Sequence, residues 1–135
     1  MVFRSLSIRT RARCAFVDVT EEVSRVVAEA GVREGLCVCF VPHTTAGITI
    51  NENADPSVRA DIQSVLTKLA PPGEGYSHVE GNSDSHVKAS LMGSSVTLTI
   101  REGSLALGTW QGVYFCEFDG PRSRQLHITI MGNSA

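Results

Sequence analysis

Histidine is the side chain most easily tuned for proton transfer near neutral pH and the commonest metal ligand, so a chain with only four can be read one by one. His43 follows Pro42 at the end of an apolar run, where a strand end can hold an imidazole rigidly toward a cleft. His78 and His86 bracket Val79-Glu80-Gly81-Asn82-Ser83-Asp84-Ser85, a loop that adds carboxyl, amide and hydroxyl groups. Folded back over the Pro42-His43 strand end, that loop would bring three imidazoles together, the ligand count of an open catalytic zinc site. The spacing is not that of H-E-x-x-H. Each histidine taken singly also has an ordinary structural role open to it.

The remaining candidates are weaker. His127 lies between Leu126 and Ile128 and faces away from them, which suits a structural or surface residue. Trp110 reads as a core indole, with Gln111 beside it able to reach a ligand. Arg122 and Arg124 flank Ser123 in a turn; they could grip phosphate or carboxylate bidentately, although solvated turn arginines are the commoner case. None of the four cysteines, at 14, 37, 39 and 116, has C-x-x-C spacing, and Cys37 and Cys39 read as small buried hydrophobes.

The elements that must position these residues follow from periodicity. Leu6, Ile8 and Ala12 alternate with polar neighbours, as in a strand with one wet face. Thr20 can cap a helix with Glu21 and Glu22 in its first turn and Val23, Val26, Val27 and Ala30 on its apolar face, stopped at Gly31. Leu36 to Val41 is a continuous apolar run, read as a central strand buried on both faces, and Ile48 to Ile50 as a short strand after it. Asp55-Pro56 starts a second helix, with Val58, Ile62, Val65, Leu66 and Leu69 as its buried stripe and Pro71-Pro72-Gly73 as its end.

Gly73 to Ser85 reads as a loop, His86 to Met92 as a short helix closed by Gly93, and the rest as strands around Val96, Leu105, Val113 to Phe118 and Leu126 to Met131. The segments 101–104 and 119–122 have turn chemistry. The expected fold is α+β: a single domain over 1–135, a mostly antiparallel sheet, two main helices and one short helix.

Composition narrows the function. With 12 basic and 14 acidic residues the net charge is -2, without the positive field that phosphate-backbone binding requires, so nucleic acid is not an expected partner. No apolar run approaches a bilayer span and no secretory pattern opens the chain, which suits a cytoplasmic protein with no membrane partner.

Taken in order, Pro42-His43-Thr44-Thr45-Ala46-Gly47-Ile48, Asn51-Glu52-Asn53-Ala54-Asp55-Pro56, Glu80 to Ser90, Leu107-Gly108-Thr109-Trp110-Gln111 and Glu117 to Arg124 resemble the YjbQ-like family. The resemblance implies a small α+β subunit in a homotrimer, with His43, His78 and His86 as ligands of a divalent metal, zinc or, for a diphosphate substrate, magnesium. Some members are described as secondary thiamine-phosphate synthases, joining hydroxymethylpyrimidine diphosphate to a thiazole phosphate with release of pyrophosphate. On that reading Asp84, Glu80 and Gln111 are catalytic candidates, and Thr44, Thr45, Asn82, Lys88, Arg122 and Arg124 would bind the small anionic substrate. Two other readings stand beside it: a zinc-dependent hydrolase of a small phosphorylated or acyl substrate, and a non-catalytic trimeric binder of a small anionic metabolite.

Overall fold

The computed structural model describes residues 1–73 and 75–134. Strands β1 (Val2–Arg9), β3 (Glu34–Phe40), β5 (Ser95–Arg101), β6 (Ser104–Leu105) and β8 (Ser123–Asn133) form a five-stranded sheet in the order β1-β8-β3-β5-β6. Strands β2 (Ala15–Asp18), β4 (Ala46–Glu52) and β7 (Gln111–Glu117) form a second sheet in the order β2-β7-β4. Every pairing is antiparallel. The α+β, mostly antiparallel architecture expected from the element order is therefore the one observed.

The main core lies between the sheets. Cys37, Cys39, Leu98, Ile100, Leu126, Ile128 and Ile130 of the first sheet meet Ala46, Ile48, Val113 and Phe115 of the second, with Val23, Val26 and Val27 of helix α1 (Thr20–Ala30) completing it. On the far side of the second sheet, Phe16, Tyr114, Cys116 and Phe118 pack with Leu66 of α2 (Pro56–Leu69) and Ala89 of α3 (Ser83–Met92). Strand β7 is thus buried on both faces, Val113 and Phe115 pointing to one core and Tyr114 and Cys116 to the other. Each such fully buried apolar side chain stabilises the fold by about 1.5–3 kcal/mol.

Several expectations are corrected. In β3 only alternate residues are buried: Cys37 and Cys39 are covered, whereas Leu36 and Phe40 are exposed, because among the described residues no layer lies on the outer face of the five-stranded sheet. The first strand stops at Arg9, so Ala12 falls in a bend before the separate strand β2. Of the α2 stripe only Leu66 is buried, while Val65 and Leu69 stay exposed, since the helix covers one small cluster. Trp110 is 62% exposed, at the solvent end of β7. Helix α3 begins at Ser83, three residues before His86. Asp55 caps α2 as expected, its Oδ1 accepting from Ser57 N at 2.9 Å, and Gly31 ends α1 in the left-handed region. Asp18, rather than Thr20, accepts from the first turn of α1.

Two close approaches fix the site. A Cβ on Gly47 would lie 2.7 Å from Gly93 O, so only glycine lets the end of α3 rest on β4, where Ile48 N donates to Gly93 O at 3.1 Å. A Cβ on Gly120 would lie 2.4 Å from Ala12 O, so the β7–β8 turn sits directly against the chain after β1.

Candidate functional site

The end of β3, the chain leading into α3 and the β7–β8 turn enclose a cleft of about 800 Å3. His43, His78 and His86 all line it, with Thr44, Glu80, Asn82, Asp119, Arg122 and Phe40. Its size lies within the range of about 300–1,000 Å3 usual for small-molecule sites. The His78 and His86 rings meet edge to face with centroids 5.4 Å apart, and His78 Nε2 lies 3.7 Å from Glu80 Oε2. His43 Nε2 accepts from the peptide N–H of Gln125 at 2.9 Å.

Beneath the cleft lie two buried ionic networks. Glu117, fully buried on β7, accepts from Arg124 Nε at 2.8 Å, from Arg124 Nη2, from Thr10 Oγ1 at 2.7 Å and from the peptide N–H groups of Phe118 and Asp119. Arg124 Nη2 also donates to Thr45 Oγ1 at 2.8 Å, tying the strand after His43 to β8. Burial pushes the Glu117 carboxyl up, but hydrogen bonds from Arg124, Thr10 and Asp119 outweigh it and hold the pKa below the ordinary carboxylate range.

In the second network Asp84, also fully buried, accepts from both terminal nitrogens of Arg13 at 3.1 Å and from Lys88 Nζ at 3.4 Å. Burial raises its pKa, and Arg13 and Lys88 more than offset that. Ser85 Oγ, donating to Phe118 O at 2.6 Å, joins α3 to the β7–β8 turn.

The candidates from sequence therefore separate. His43, His78, His86, Thr44, Glu80, Asn82 and Arg122 line the cleft directly. Asp84 and Lys88 lie below it with side chains 1% and 2% exposed, paired with each other rather than offered to a ligand. Arg124 and Thr45 border the cleft but are committed to Glu117 and to each other, so Arg124 is not a solvated turn residue. Gln111 caps its own turn, Oε1 accepting from Gly108 N, at the opposite end of β7 from Glu117. His127 is half-buried against Phe3 and Phe40 on the outer sheet face.

Arg122 is the cation best placed for a ligand. Its Nε donates to Asp119 O at 2.8 Å and its Nη2 to Asp119 Oδ2 at 3.2 Å, leaving Nη1 without a partner among the described residues. Asn82 Nδ2 donates to the same Asp119 oxygen at 2.9 Å, steadying the carboxylate that aims the guanidinium. Asp119 was absent from the sequence candidates because Asp-Gly-Pro reads first as turn chemistry. Glu117 was missed too, although a lone carboxylate within the apolar Val113 to Phe118 run signals a buried pair.

Burial and the nearby Arg124 charge hold the His43 pKa below the usual imidazole value, favouring the neutral ring. The three histidines do not form one metal centre in this arrangement. Among the described residues no three His, Cys, Asp or Glu side chains are grouped to hold an ion, and the His43 nitrogen that would most simply bind one is taken by Gln125. What the cleft offers directly is a guanidinium, several imidazoles and hydroxyl and amide groups, a set suited to holding an anion and moving a proton.

A small two-sheet α+β domain with a histidine- and arginine-lined cleft at one end of its sheets is the class these features define. Its family is plain from comparison: residues 4–133 match the family described as UPF0047 protein YjbQ-like, and the chain belongs to it. The chain is 50% identical over 133 residues to a UPF0047 protein of Methanocaldococcus jannaschii, covering 98% of this chain and 96% of that one. It is 46% identical over 132 residues to the UPF0047 protein YugU of Bacillus subtilis, covering 97% and 100%. A crystal structure of an uncharacterised YjbQ/UPF0047 protein from Clostridium acetobutylicum superposes with a TM-score of 0.93 at 54% identity, covering 95% of this chain and 99% of that one. One from Sulfolobus solfataricus, described as of unknown function, gives 0.94 at 31%, covering 98% and 97%.

Proposed function

We propose that the cleft binds a small phosphorylated metabolite and that its arginine and imidazoles meet the charge of the leaving group during a group-transfer reaction. The observation that carries this reading is the convergence of His43, His78 and His86 on one small-molecule-sized cleft beside an aimed and partly free Arg122. Arg122 holds the anionic group, Asn82 and Asp119 keep Arg122 in place, and His78 and His86 stand where their N–H groups hydrogen-bond the departing group.

The specific reaction we propose is that of a secondary thiamine-phosphate synthase, in which both substrates are phosphorylated heteroaromatics. The carbon–oxygen bond to the diphosphate breaks, the thiazole nitrogen forms the new bond, and pyrophosphate leaves with its charge met by Arg122. No step is assigned to a metal. Incubating purified protein with hydroxymethylpyrimidine diphosphate and the thiazole phosphate tests this directly. Thiamine phosphate and pyrophosphate should appear in equal amounts and fall sharply for Arg122→Ala. No product from folded protein, with or without added zinc or magnesium, rejects the reaction.

The homotrimer expected from the family resemblance is part of the same proposal. Its support is the uncovered outer face of the five-stranded sheet, where Phe3, Leu36, Phe40 and Met131 are between 41% and 54% exposed.

A further inference from the structure

The last residue of β3 paired with β8 is Phe40, opposite His127. The pairing ends there and the chain leaves the strand, so among the described residues no β3 carbonyl takes the peptide N–H of Gln125. The peptide N–H of Gln125 is satisfied instead by an imidazole, His43 Nε2, at 2.9 Å. A peptide nitrogen can only donate, and a ring nitrogen accepts only when it carries no proton. The bond therefore fixes the orientation of the ring and its tautomer together: a ring turned by half a revolution would set carbon against the N–H, and the proton of the neutral ring must sit on Nδ1.

Nδ1 makes no hydrogen bond among the described residues and is not among their buried polar atoms left without partners. His43 lines the cleft, and Nδ1 is the ring nitrogen that Gln125 leaves free to meet a ligand there. Arg124, Thr45 and Glu117 lie just below and hold the backbone on both sides of this contact.

We propose that His43 is a neutral hydrogen-bond donor in the cleft, its Nε2 committed to the Gln125 peptide and its Nδ1–H presented to an anionic oxygen of the ligand. This role differs from that of a metal ligand bound through Nε2, or of a general base, since its free nitrogen has a proton to share and none to accept. The oxygen it meets rests on the phosphorylated-ligand reading; the tautomer does not.

Nitrogen-15 NMR of the imidazole rings in ligand-free protein near neutral pH decides the tautomer. The expected result is a protonated Nδ1 and an unprotonated Nε2 for His43. A proton on Nε2, or on both nitrogens, overturns the proposal. Inorganic phosphate then probes the donor in two variants. Asparagine places an amide N–H near the Nδ1 position, and glutamine places a carbonyl near Nε2. His43→Asn should bind phosphate within about threefold of the parent, and His43→Gln about tenfold more weakly, as expected for one lost hydrogen bond to a charged group. Equal binding by His43→Gln overturns the donor role. If phosphate fails to bind the parent protein, the phosphorylated-ligand reading falls, while the tautomer in the free protein still decides the state of His43.

Discussion

Arg124 and Glu117 face each other across the β7–β8 turn, the guanidinium donating to both carboxylate oxygens with almost no side-chain surface left to solvent. The pair spans the floor of the cleft and reaches Thr45, two residues after His43. Removing one partner leaves the other as a buried, unmatched charge. Arg124→Ala and Glu117→Ala should each lower stability by about 3–5 kcal/mol, measured by chemical denaturation. A loss below about 1 kcal/mol would mean that water reaches the pair freely.

The same pair gives stability a pH dependence with a defined sign. The folded pKa of Glu117 is depressed, so its contribution is fully present above the ordinary carboxylate range and is lost as pH falls through the folded value. Asp84 acts in the same direction. Denaturation midpoints should therefore fall as the solution is acidified through and below that range. Glu117→Gln should show a shallower fall than the parent; an equally steep fall would assign the acid sensitivity elsewhere.

Much of this fold was legible in the sequence, because the signals were local. Asp55-Pro56 announces the start of α2, Gly31 the end of α1, and alternation marks β1 and β5. The doubly buried strand was misplaced because Leu36 to Val41 and Val113 to Phe118 have similar apolar runs. Only the layering shows that α2 and α3 cover β7 while, among the described residues, nothing covers the outer face of β3. In the site, the three histidines were visible as residue types. The division of their neighbours into a cleft lining and a buried support was not, since Asp84 and Asp119 are alike in sequence and differ only in what surrounds them.

The outer sheet face predicts association. Phe3→Asp and Met131→Asp both place charge on this face away from the cleft residues. Analytical ultracentrifugation should show the parent as a trimer and the double variant shifted to monomer with the fold retained. A monomeric parent rejects the trimer, and a trimeric double variant rejects this face as its interface.

Zinc uptake separates the histidines. With its Nε2 held by Gln125, His43 should contribute little to metal affinity. Equilibrium dialysis of metal-stripped protein should give the same zinc affinity for His43→Asn as for the parent. A loss of about tenfold or more in the variant would return His43 to the role of a ligand.

The central claim is that the histidine-lined cleft is a site for phosphorylated ligands, and calorimetric titration of the purified protein with pyrophosphate tests it most directly. One equivalent per chain should bind, with affinity reduced about tenfold or more in Arg122→Ala, through loss of the aimed guanidinium, while circular dichroism stays unchanged. Absence of binding, or binding that Arg122→Ala and His86→Ala both leave intact, would contradict it.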